Sequence, residues 1–170
     1  MMKVWLAIIL MCCVVVGCSN AGDPISDPPD QMEKQDGSLT ATRQVGNYVL
    51  QLVATPEGEQ LIHFRPSIKY VGEQTEHEIF HGVALFDVDL HHEGESIFPP
   101  RSSIDLGVTT VLKANEWYTE EKELQLTQEQ LRDIPMDEIQ VVLEARFDSD
   151  ETGFDDKKRM ILQLHEIQSD

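Results

Sequence analysis

Apolar and polar side chains alternate along most of the chain from about Thr40 onward. The clearest run is Tyr48, Leu50, Leu52 and Ala54, in which every second residue is apolar. Successive side chains of a β-strand point to opposite faces of its sheet, so this spacing predicts a strand with one buried face. Repeats of helical period are almost absent. The pattern therefore predicts an all-β chain.

About seven such stretches follow one another, and turn residues separate them. They cover residues 48–54, 61–71, 79–90, 104–108, 117–126, 139–147 and 160–167, with an interruption at Pro66. The spacing within 79–90 places a set of apolar residues on one side of that strand: Phe80, Ala84, Phe86, Val88 and Leu90. Thr127 and Gln130 have the spacing of a capping box, which predicts one short helical turn before Pro135.

Short strands at regular intervals with little helix favour an antiparallel β-sandwich of immunoglobulin-like type, with about seven strands. A small closed barrel is the alternative architecture. The Cys–Trp–Cys spacing of antibody domains is absent from this sequence. The resemblance to immunoglobulin domains therefore concerns the architecture alone.

The first 18 residues have a different pattern. Lys3 precedes an uncharged apolar run over residues 4–16, and Gly17 and Cys18 follow it. A run of about thirteen residues has the length of a signal-peptide core and is too short to span a relaxed bilayer. The segment Val15-Val16-Gly17-Cys18 resembles the lipobox of bacterial lipoproteins.

This resemblance implies cleavage between Gly17 and Cys18 and attachment of a diacylglycerol to the Cys18 thiol. Two or more acyl chains hold a protein stably on a membrane, so the expected location is the outer side of the cell membrane, with the lipid on Cys18 as the membrane contact. An uncut N-terminal helix and a secretory signal with an incidental cysteine are the alternatives. All three cysteines lie at or before position 18, so the exported part has no disulfide and no cysteine ligand or nucleophile.

Residues 18–39 are rich in Pro and Asp and contain few large apolar side chains. Such a composition buries too little surface to offset the entropy of ordering, so it predicts a disordered tether. The expected organisation is a signal peptide over residues 1–17, the tether over 18–39 and the β-sandwich over 40–170.

The net charge is −18, from 13 Lys and Arg against 31 Asp and Glu. Lys3 is the only charged residue before Cys18, so cleavage would make the net charge −19. An acidic chain of this kind is repelled by anionic lipid, and it is unsuited to nucleic acid, whose binding depends on clustered Lys and Arg. Nucleic acid is therefore excluded as a partner.

A second resemblance covers about a third of the chain. Ile68-Lys69-Tyr70-Val71-Gly72 and the following segment Ile79-Phe80-His81-Gly82 are similar to small exported lipoproteins of Gram-positive bacteria whose function is uncharacterised. This similarity carries over no catalytic residue. It implies an extracytoplasmic location and no particular activity.

The segment His77-Glu78-Ile79-Phe80-His81 matches the zinc-peptidase pattern His-Glu-x-x-His. On a helix both imidazoles would face one zinc ion, and the glutamate would activate its water. The surrounding glycines and the β-branched and aromatic residues favour a strand instead. Residues four apart on a strand are separated by about 13 Å and cannot share a metal. A small zinc metallopeptidase using His77 and His81 is therefore kept only as an alternative function.

Two further segments could be metal sites, and each also has a simpler interpretation as a solvated surface. Asp87, Asp89 and His91 fall on one strand face, followed by His92 and Glu93, and could ligate a divalent cation or form a solvated face. Residues 148–159 match calcium-loop positions one, three and six, but Arg159 occupies the twelfth position, which requires a glutamate. We favour the simpler interpretation for both, and predict no metal and no cofactor.

The sequence thus predicts a membrane-anchored extracytoplasmic lipoprotein that acts as a binding or envelope-structural module and is not an enzyme. Sheet edges and the loop 94–103 are the expected contact surfaces. A peptidase-inhibitor-like domain that presents the segment from Ser96 to Ser103, with Pro99-Pro100-Arg101, is a further alternative. The partner itself is not specified by any motif.

Overall fold

The chain folds into two antiparallel sheets packed face to face, as seen in a computed structural model that describes residues 27–58, 60–99, 106–148 and 158–168. The predicted all-β antiparallel sandwich is therefore confirmed. Within the described residues the two sheets remain separate, with six and five strands, and do not close into the alternative barrel. None of the helices found in these ranges is long and apolar enough to cross a membrane.

Eleven strands, two short α-helices and one 3-10 turn lie within the described ranges. In chain order they are β1 (Gln31–Gln35), β2 (Ser38–Val45), β3 (Tyr48–Glu57), β4 (Leu61–Tyr70), β5 (Glu76–His92), β6 (Glu95–Ser96), β7 (Val108–Lys113), β8 (Trp117–Thr119), β9 (Lys122–Gln125), α1 (Gln128–Asp133), the 3-10 turn (Met136–Glu138), β10 (Ile139–Asp148), β11 (Lys158–Gln163) and α2 (Leu164–Gln168). The first sheet has the order β1-β2-β3-β4-β8, with β9 also paired to β4. The second has the order β11-β10-β5-β6, with β7 also paired to β5.

The core lies between the inner faces of the two sheets. The alternating residues of β3 are buried as their spacing predicted: Tyr48, Leu50, Leu52 and Ala54. The inner face of β10 supplies five buried side chains from the opposite sheet: Ile139, Val141, Leu143, Ala145 and Phe147. Burial of these two apolar faces against each other is the main stabilising interaction of the sandwich.

The first sheet begins earlier than the sequence indicated. Residues 31–35, which the sequence assigned to a disordered tether, form β1 and pair with β2 from Gln31–Thr42 to Gln35–Ser38. All five side chains of β1 are exposed, so backbone hydrogen bonds rather than apolar burial hold this strand. The prediction of a tether reaching residue 39 was therefore wrong over these residues, because it considered burial alone.

The segment before β1 is also bound to the sandwich. Ile161 of β11 donates its backbone N–H to the carbonyl of Asp27 at 2.8 Å. Arg43 of β2 forms an ion pair with the Asp27 carboxylate at 2.6 Å, and its guanidinium also donates to the carbonyl of Arg159. Since β2 and β11 belong to different sheets, Asp27 connects the two sheets at one lateral edge of the sandwich.

The predicted strand count of about seven was low, partly because two partners share β4. β9 pairs with Leu61 to Phe64, and β8 pairs with Ser67 to Lys69. Pro66 falls in the gap between these two pairings and does not interrupt β4. A proline has no N–H to contribute to a ladder, so it is tolerated where no strand lies alongside.

β5 has an irregularity that changes which residues face the core. Ala145 of β10 pairs with Phe86 of β5, and Phe147 pairs with His81. A step of two residues on β10 therefore corresponds to a step of five residues on β5. Before this bulge the buried residues are His77, Ile79 and His81, and after it they include Phe86 and Val88. The prediction that Phe80 and Ala84 share the buried face was therefore wrong, since both are exposed.

The two short helices differ in how well the sequence predicted them. α1 begins at the predicted capping box, in which Thr127 accepts from the Gln130 N–H and the Gln130 side chain accepts from the Thr127 N–H. The last predicted strand, 160–167, ends instead at Gln163, and α2 follows. The side chain of Glu166 accepts from the Gln163 N–H at 2.9 Å, and Leu164 and Ile167 are buried three residues apart, as a helical turn requires.

Candidate binding surfaces

Residues 1–26 lie outside the described ranges, and the proposed lipid-attachment residue Cys18 and the cleavage residue Gly17 are among them. The described domain therefore begins at Asp27, nine positions after Cys18. The membrane contact through Cys18 stays a prediction from the sequence.

The zinc-peptidase motif lies on a strand. His77 and His81 both belong to β5 and are buried on its inner side, with Ile79 between them. The helix that would bring the two imidazoles to one zinc ion is therefore absent, as the flanking residues indicated. The strand geometry removes the basis for the alternative that this motif is a zinc-peptidase centre.

The hydrogen bonds of His81 point to the same conclusion. Its Nδ1 lies 2.6 Å from the Gly82 carbonyl oxygen, an acceptor, so Nδ1 donates. Its Nε2 lies 2.8 Å from the Thr110 hydroxyl and therefore accepts from it. Both ring nitrogens are thus engaged, and no lone pair is left for a metal.

His77 has a different environment at the end of the sandwich. Its ring stacks on Tyr70, with centroids 4.7 Å apart and an angle of 12° between the planes, and it meets Tyr48 edge-on at 5.9 Å. The Nε2 atom of His77 is buried without a hydrogen-bond partner. His77 therefore packs as part of an aromatic cluster.

The acidic face of β5 forms as the sequence predicted. Asp89 and His91 point away from the core, 3.3 Å apart, while Val88 and Leu90 are buried on the other side. Asp87 on the same face pairs with Arg146 at 3.5 Å. Across the described residues no three His, Cys, Asp or Glu side chains are grouped so that they could hold a metal ion.

Two other candidate segments fall largely outside the described ranges. Asp148 ends β10 and Arg159 lies in β11, but residues 149–157 of the calcium-loop pattern are not described. In the inhibitor-like segment, Ser96 belongs to β6, whereas Pro100 and Arg101 lie in the undescribed stretch 100–105. Both hypotheses stay untested.

A groove crosses the outer face of the second sheet and encloses a volume of about 660 Å³. Its floor is formed by Val142 of β10 and Ile161 of β11, with the amides of Gln140 and Gln163 beside them. The wall contains two histidines from the end of β5 and acidic residues of the turns: His91, His92, Glu93, Asp137 and Glu138. Val142 is only 5 % exposed although its side chain points away from the core. Neighbouring side chains therefore cover most of Val142, and Ile161 is the more accessible residue of the floor.

A buried carboxylate supports one side of the groove. Glu144 accepts hydrogen bonds from Arg146 Nε at 2.8 Å and from Arg159 Nε at 2.9 Å. Burial raises the pKa of Glu144, but the hydrogen bonds from Arg159 and Arg146 outweigh it and lower the pKa below its usual value. Both arginines are therefore fixed by a charged Glu144.

The second exposed feature is an apolar edge on the opposite side of the sandwich from Asp27. Seven large apolar side chains are exposed among the described residues, and five of them lie on β5, on β7 or directly before β7: Phe80, Val83, Leu106, Val108 and Val111. We call these five residues the apolar edge. In the described part of the chain β7 pairs with β5 and has no strand on its other side.

Polar side chains fix the bulge of β5 behind the apolar edge. Glu120, which follows β8, accepts the backbone N–H of Leu85 at 2.9 Å and pairs with Lys122 at 3.0 Å. Burial, followed by the nearby Glu120 carboxylate, raises the pKa of Tyr118. The first sheet thus holds the bulge in place and keeps Phe80 and Val83 outside the core.

The sequence did not identify the groove, because its floor combines residues from strands far apart along the chain. It anticipated contact surfaces at sheet edges, but it placed Phe80 in the core and so missed the main exposed residue of the apolar edge.

No protein-family model matches this chain, and no curated protein matches it.

Proposed function

We propose that this chain is an exported lipoprotein, held on the outer side of the cell membrane through acylated Cys18, and that its β-sandwich is a binding module for another protein. The anchor is supported by Lys3, the apolar run 4–16 and the segment Val15-Val16-Gly17-Cys18. The binding role is supported by the apolar edge, which is the observation that carries this proposal.

The apolar edge has two properties of a protein contact surface. Phe80 and Val111 are each 52 % exposed and lie diagonally across the β5–β7 pair on its outer face, because Phe80 pairs with Thr109, two residues before Val111. Grouped exposed apolar side chains are typical of interaction sites, and a strand with one unpaired side can add a strand from a partner. With a net charge of −18, two copies of this chain repel each other, which favours a different protein as the partner.

Asp27 sets how far from the membrane this module acts. It is bound to both sheets, so the chain is fixed from Asp27 onward. Nine fully extended residues span about 30 Å, which is the greatest separation of Asp27 from an acylated Cys18. The module therefore meets its partner close to the membrane surface.

The anchor is tested by replacing the thiol. We expect Cys18→Ser to abolish incorporation of radiolabelled fatty acid and to move the protein from the membrane fraction to the soluble or secreted fraction. Ser19→Ala is the matched control, because it changes the neighbouring residue and leaves the thiol. Fatty-acid labelling of the Cys18→Ser chain would contradict the anchor.

The binding role is tested by site-specific photo-crosslinking in intact cells. A photoreactive phenylalanine analogue at Val111 is expected to give a discrete cross-linked product with another protein. Met32 is the matched control position, since it is also a large apolar residue, 48 % exposed, on an edge strand of the other sheet. The same product from both positions, or none from Val111, would contradict binding at the apolar edge.

A further inference from the structure

We propose that the groove on the outer face of the second sheet is a separate binding site, and that it takes a short extended peptide carrying a Lys or Arg side chain next to an apolar one. This site is distinct from the apolar edge, so it does not depend on the proposed protein partner there. Three features of the groove support this ligand: its floor, its charges and its hydrogen-bonding groups.

The floor provides an apolar surface that a ligand side chain can cover. Val142 and Ile161 lie side by side on paired strands, in register with each other. Both point away from the core, but Val142 is 5 % exposed whereas Ile161 is partly exposed, so Ile161 provides most of the accessible apolar surface of the floor. An apolar floor with a few polar groups around it is the usual composition of a ligand site, and a volume of about 660 Å³ is in the usual range.

The positive charges near the groove are already neutralised. Arg159 lines the groove, but its Nε and Nη2 both donate to Glu144. Arg146 binds the other oxygen of the same carboxylate at 2.6 Å and also pairs with Asp87 at 3.5 Å, so two carboxylates balance the two guanidinium charges. An anionic ligand would have to compete with the buried Glu144 for these guanidinium groups. The groove is therefore unsuited to an anion.

The walls present negative charge and hydrogen-bond acceptors instead. Glu93 and Asp137 are exposed carboxylates at the rim. His91 Nε2 faces Asp89 at 3.3 Å, and His92 Nε2 faces Glu138 at 3.0 Å. Such a rim attracts ammonium and guanidinium groups.

The amides of Gln140 and Gln163 favour a peptide over a simple amine. Each amide offers both a donor and an acceptor, the same pair of groups that an extended peptide backbone exposes. The groove crosses from β5 to β11, a width of about 10 Å for three strands. A segment of a few residues fits this length and can place one side chain on the floor and a cation at the rim.

The test measures binding of labelled pentapeptides to the full chain in neutral phosphatidylcholine vesicles, with empty vesicles as the blank. The probe is glycine-lysine-valine-lysine-glycine, capped at both ends, and its binding is followed by fluorescence anisotropy. A second probe replaces both lysines with glutamate, and a third replaces valine with serine. We expect the first probe to bind, the glutamate probe not to bind and the serine probe to bind more weakly.

Variants then locate the site. Ile161→Arg places a charged side chain on the floor and is expected to weaken binding of the lysine-valine probe by at least about tenfold. Thr109→Arg, at an exposed position of β7 outside the apolar edge, makes the same charge change far from the groove and is expected to change affinity by less than about twofold. The rim variant Glu93→Gln with Asp137→Asn is expected to weaken binding by about two- to fivefold for each charge removed.

Each alternative outcome contradicts the proposal. Equal weakening by Ile161→Arg and Thr109→Arg would mean that net charge alone attracts the peptide. Equal binding of the serine probe would exclude the apolar floor, and binding of the glutamate probe would exclude the acidic rim. The rim residues are exposed, so their variant remains informative even if Ile161→Arg does not fold.

Discussion

The groove and the apolar edge are built in opposite ways from parts of the same strand. The second half of β5 supplies His91 and His92 to the groove, where each imidazole faces a carboxylate. The first half supplies Phe80 to the apolar edge, where its ring is half exposed. The bulge between them exchanges the two faces of the strand. This one bulge therefore separates a polar surface, whose histidines are paired with carboxylates, from an apolar surface that is exposed to solvent.

This difference predicts which surface tolerates substitution. Beside the groove, Glu144 is buried and fixes Arg146 and Arg159, so changes at this carboxylate should lower the stability of the fold. Residues of the apolar edge are exposed, so changes there should alter interactions with other molecules and leave the fold intact. The following experiments test that contrast, beginning with the largest expected effect.

The largest effect is expected for Glu144→Ala. Its carboxylate is 7 % exposed and holds Arg146 and Arg159 in place. Removing it leaves the Arg159 guanidinium, which is 22 % exposed, without its partner. We expect the free energy of unfolding to fall by about 2–3 kcal/mol, measured by urea denaturation followed by circular dichroism.

Glu144→Gln is the matched control, because it keeps the shape and one acceptor oxygen while removing the charge. It should cost less than Glu144→Ala. A loss within about 0.5 kcal/mol for Glu144→Ala would place this carboxylate among ordinary surface residues and would contradict its supporting role.

The fold class was predictable because it depends on the period of the sequence alone. The alternation of Tyr48, Leu50 and Leu52 identifies a buried strand face whatever lies opposite. The strand β1 was not predictable in this way, because its five side chains are exposed and its order comes from backbone hydrogen bonds to β2. The helix α2 was missed for a related reason, since its start depends on the local bond from Gln163 to Glu166.

The candidate surfaces were harder to predict than the fold. The bulge after His81 is defined by the register between β5 and β10, whose paired residues at the bulge are more than fifty positions apart in sequence. Without it, period-two spacing puts Phe80 on the same side as Phe86. The groove likewise joins Val142 to Ile161 across a strand pair. Such neighbours follow from strand pairing, and the period of one sequence carries no signal for the pairing.

Two glycines allow the next comparison. A Cβ on Gly72 would lie 2.1 Å from the hydroxyl of Tyr70, a ring that is buried and stacked on His77. A Cβ on Gly107 would lie 2.1 Å from the ring of Phe80, which is exposed and able to turn outward. We expect Gly72→Ala to lower stability by about 1–3 kcal/mol and Gly107→Ala by less than about 1 kcal/mol.

Thermal or urea denaturation of the two variants checks this difference directly. The Gly107→Ala chain should also bind more of a hydrophobic dye, because Phe80 is displaced toward solvent. Equal losses of stability at the two glycines would mean that Phe80 is as firmly packed as Tyr70, and the apolar edge would then be part of the core.

A smaller effect is expected from pH. The pKa of Glu144 is lowered in the folded chain, so the unfolded chain binds its proton at higher pH than the folded chain does. The stability that this group contributes is present above the unfolded pKa of about 4.3 and is lost as pH falls through the folded value. The Glu144→Gln chain should lose less stability than the parent between pH 5 and acid pH, as measured by unfolding at a series of pH values.

The smallest effect on stability is expected for Val111→Lys at the apolar edge. Val111 is 52 % exposed and lies across from Glu78 on β5, so a lysine can extend into solvent near an opposite charge. The free energy of unfolding should change by no more than about 0.5 kcal/mol. A lysine on an unpaired edge strand does, however, oppose the addition of another strand. Cross-linking through a photoreactive group at Phe80 should therefore decrease in the Val111→Lys background while the fold is unchanged. If the cross-linked product persisted at full yield, the partner would not contact β7. The apolar edge would then not be an interaction surface of the kind proposed.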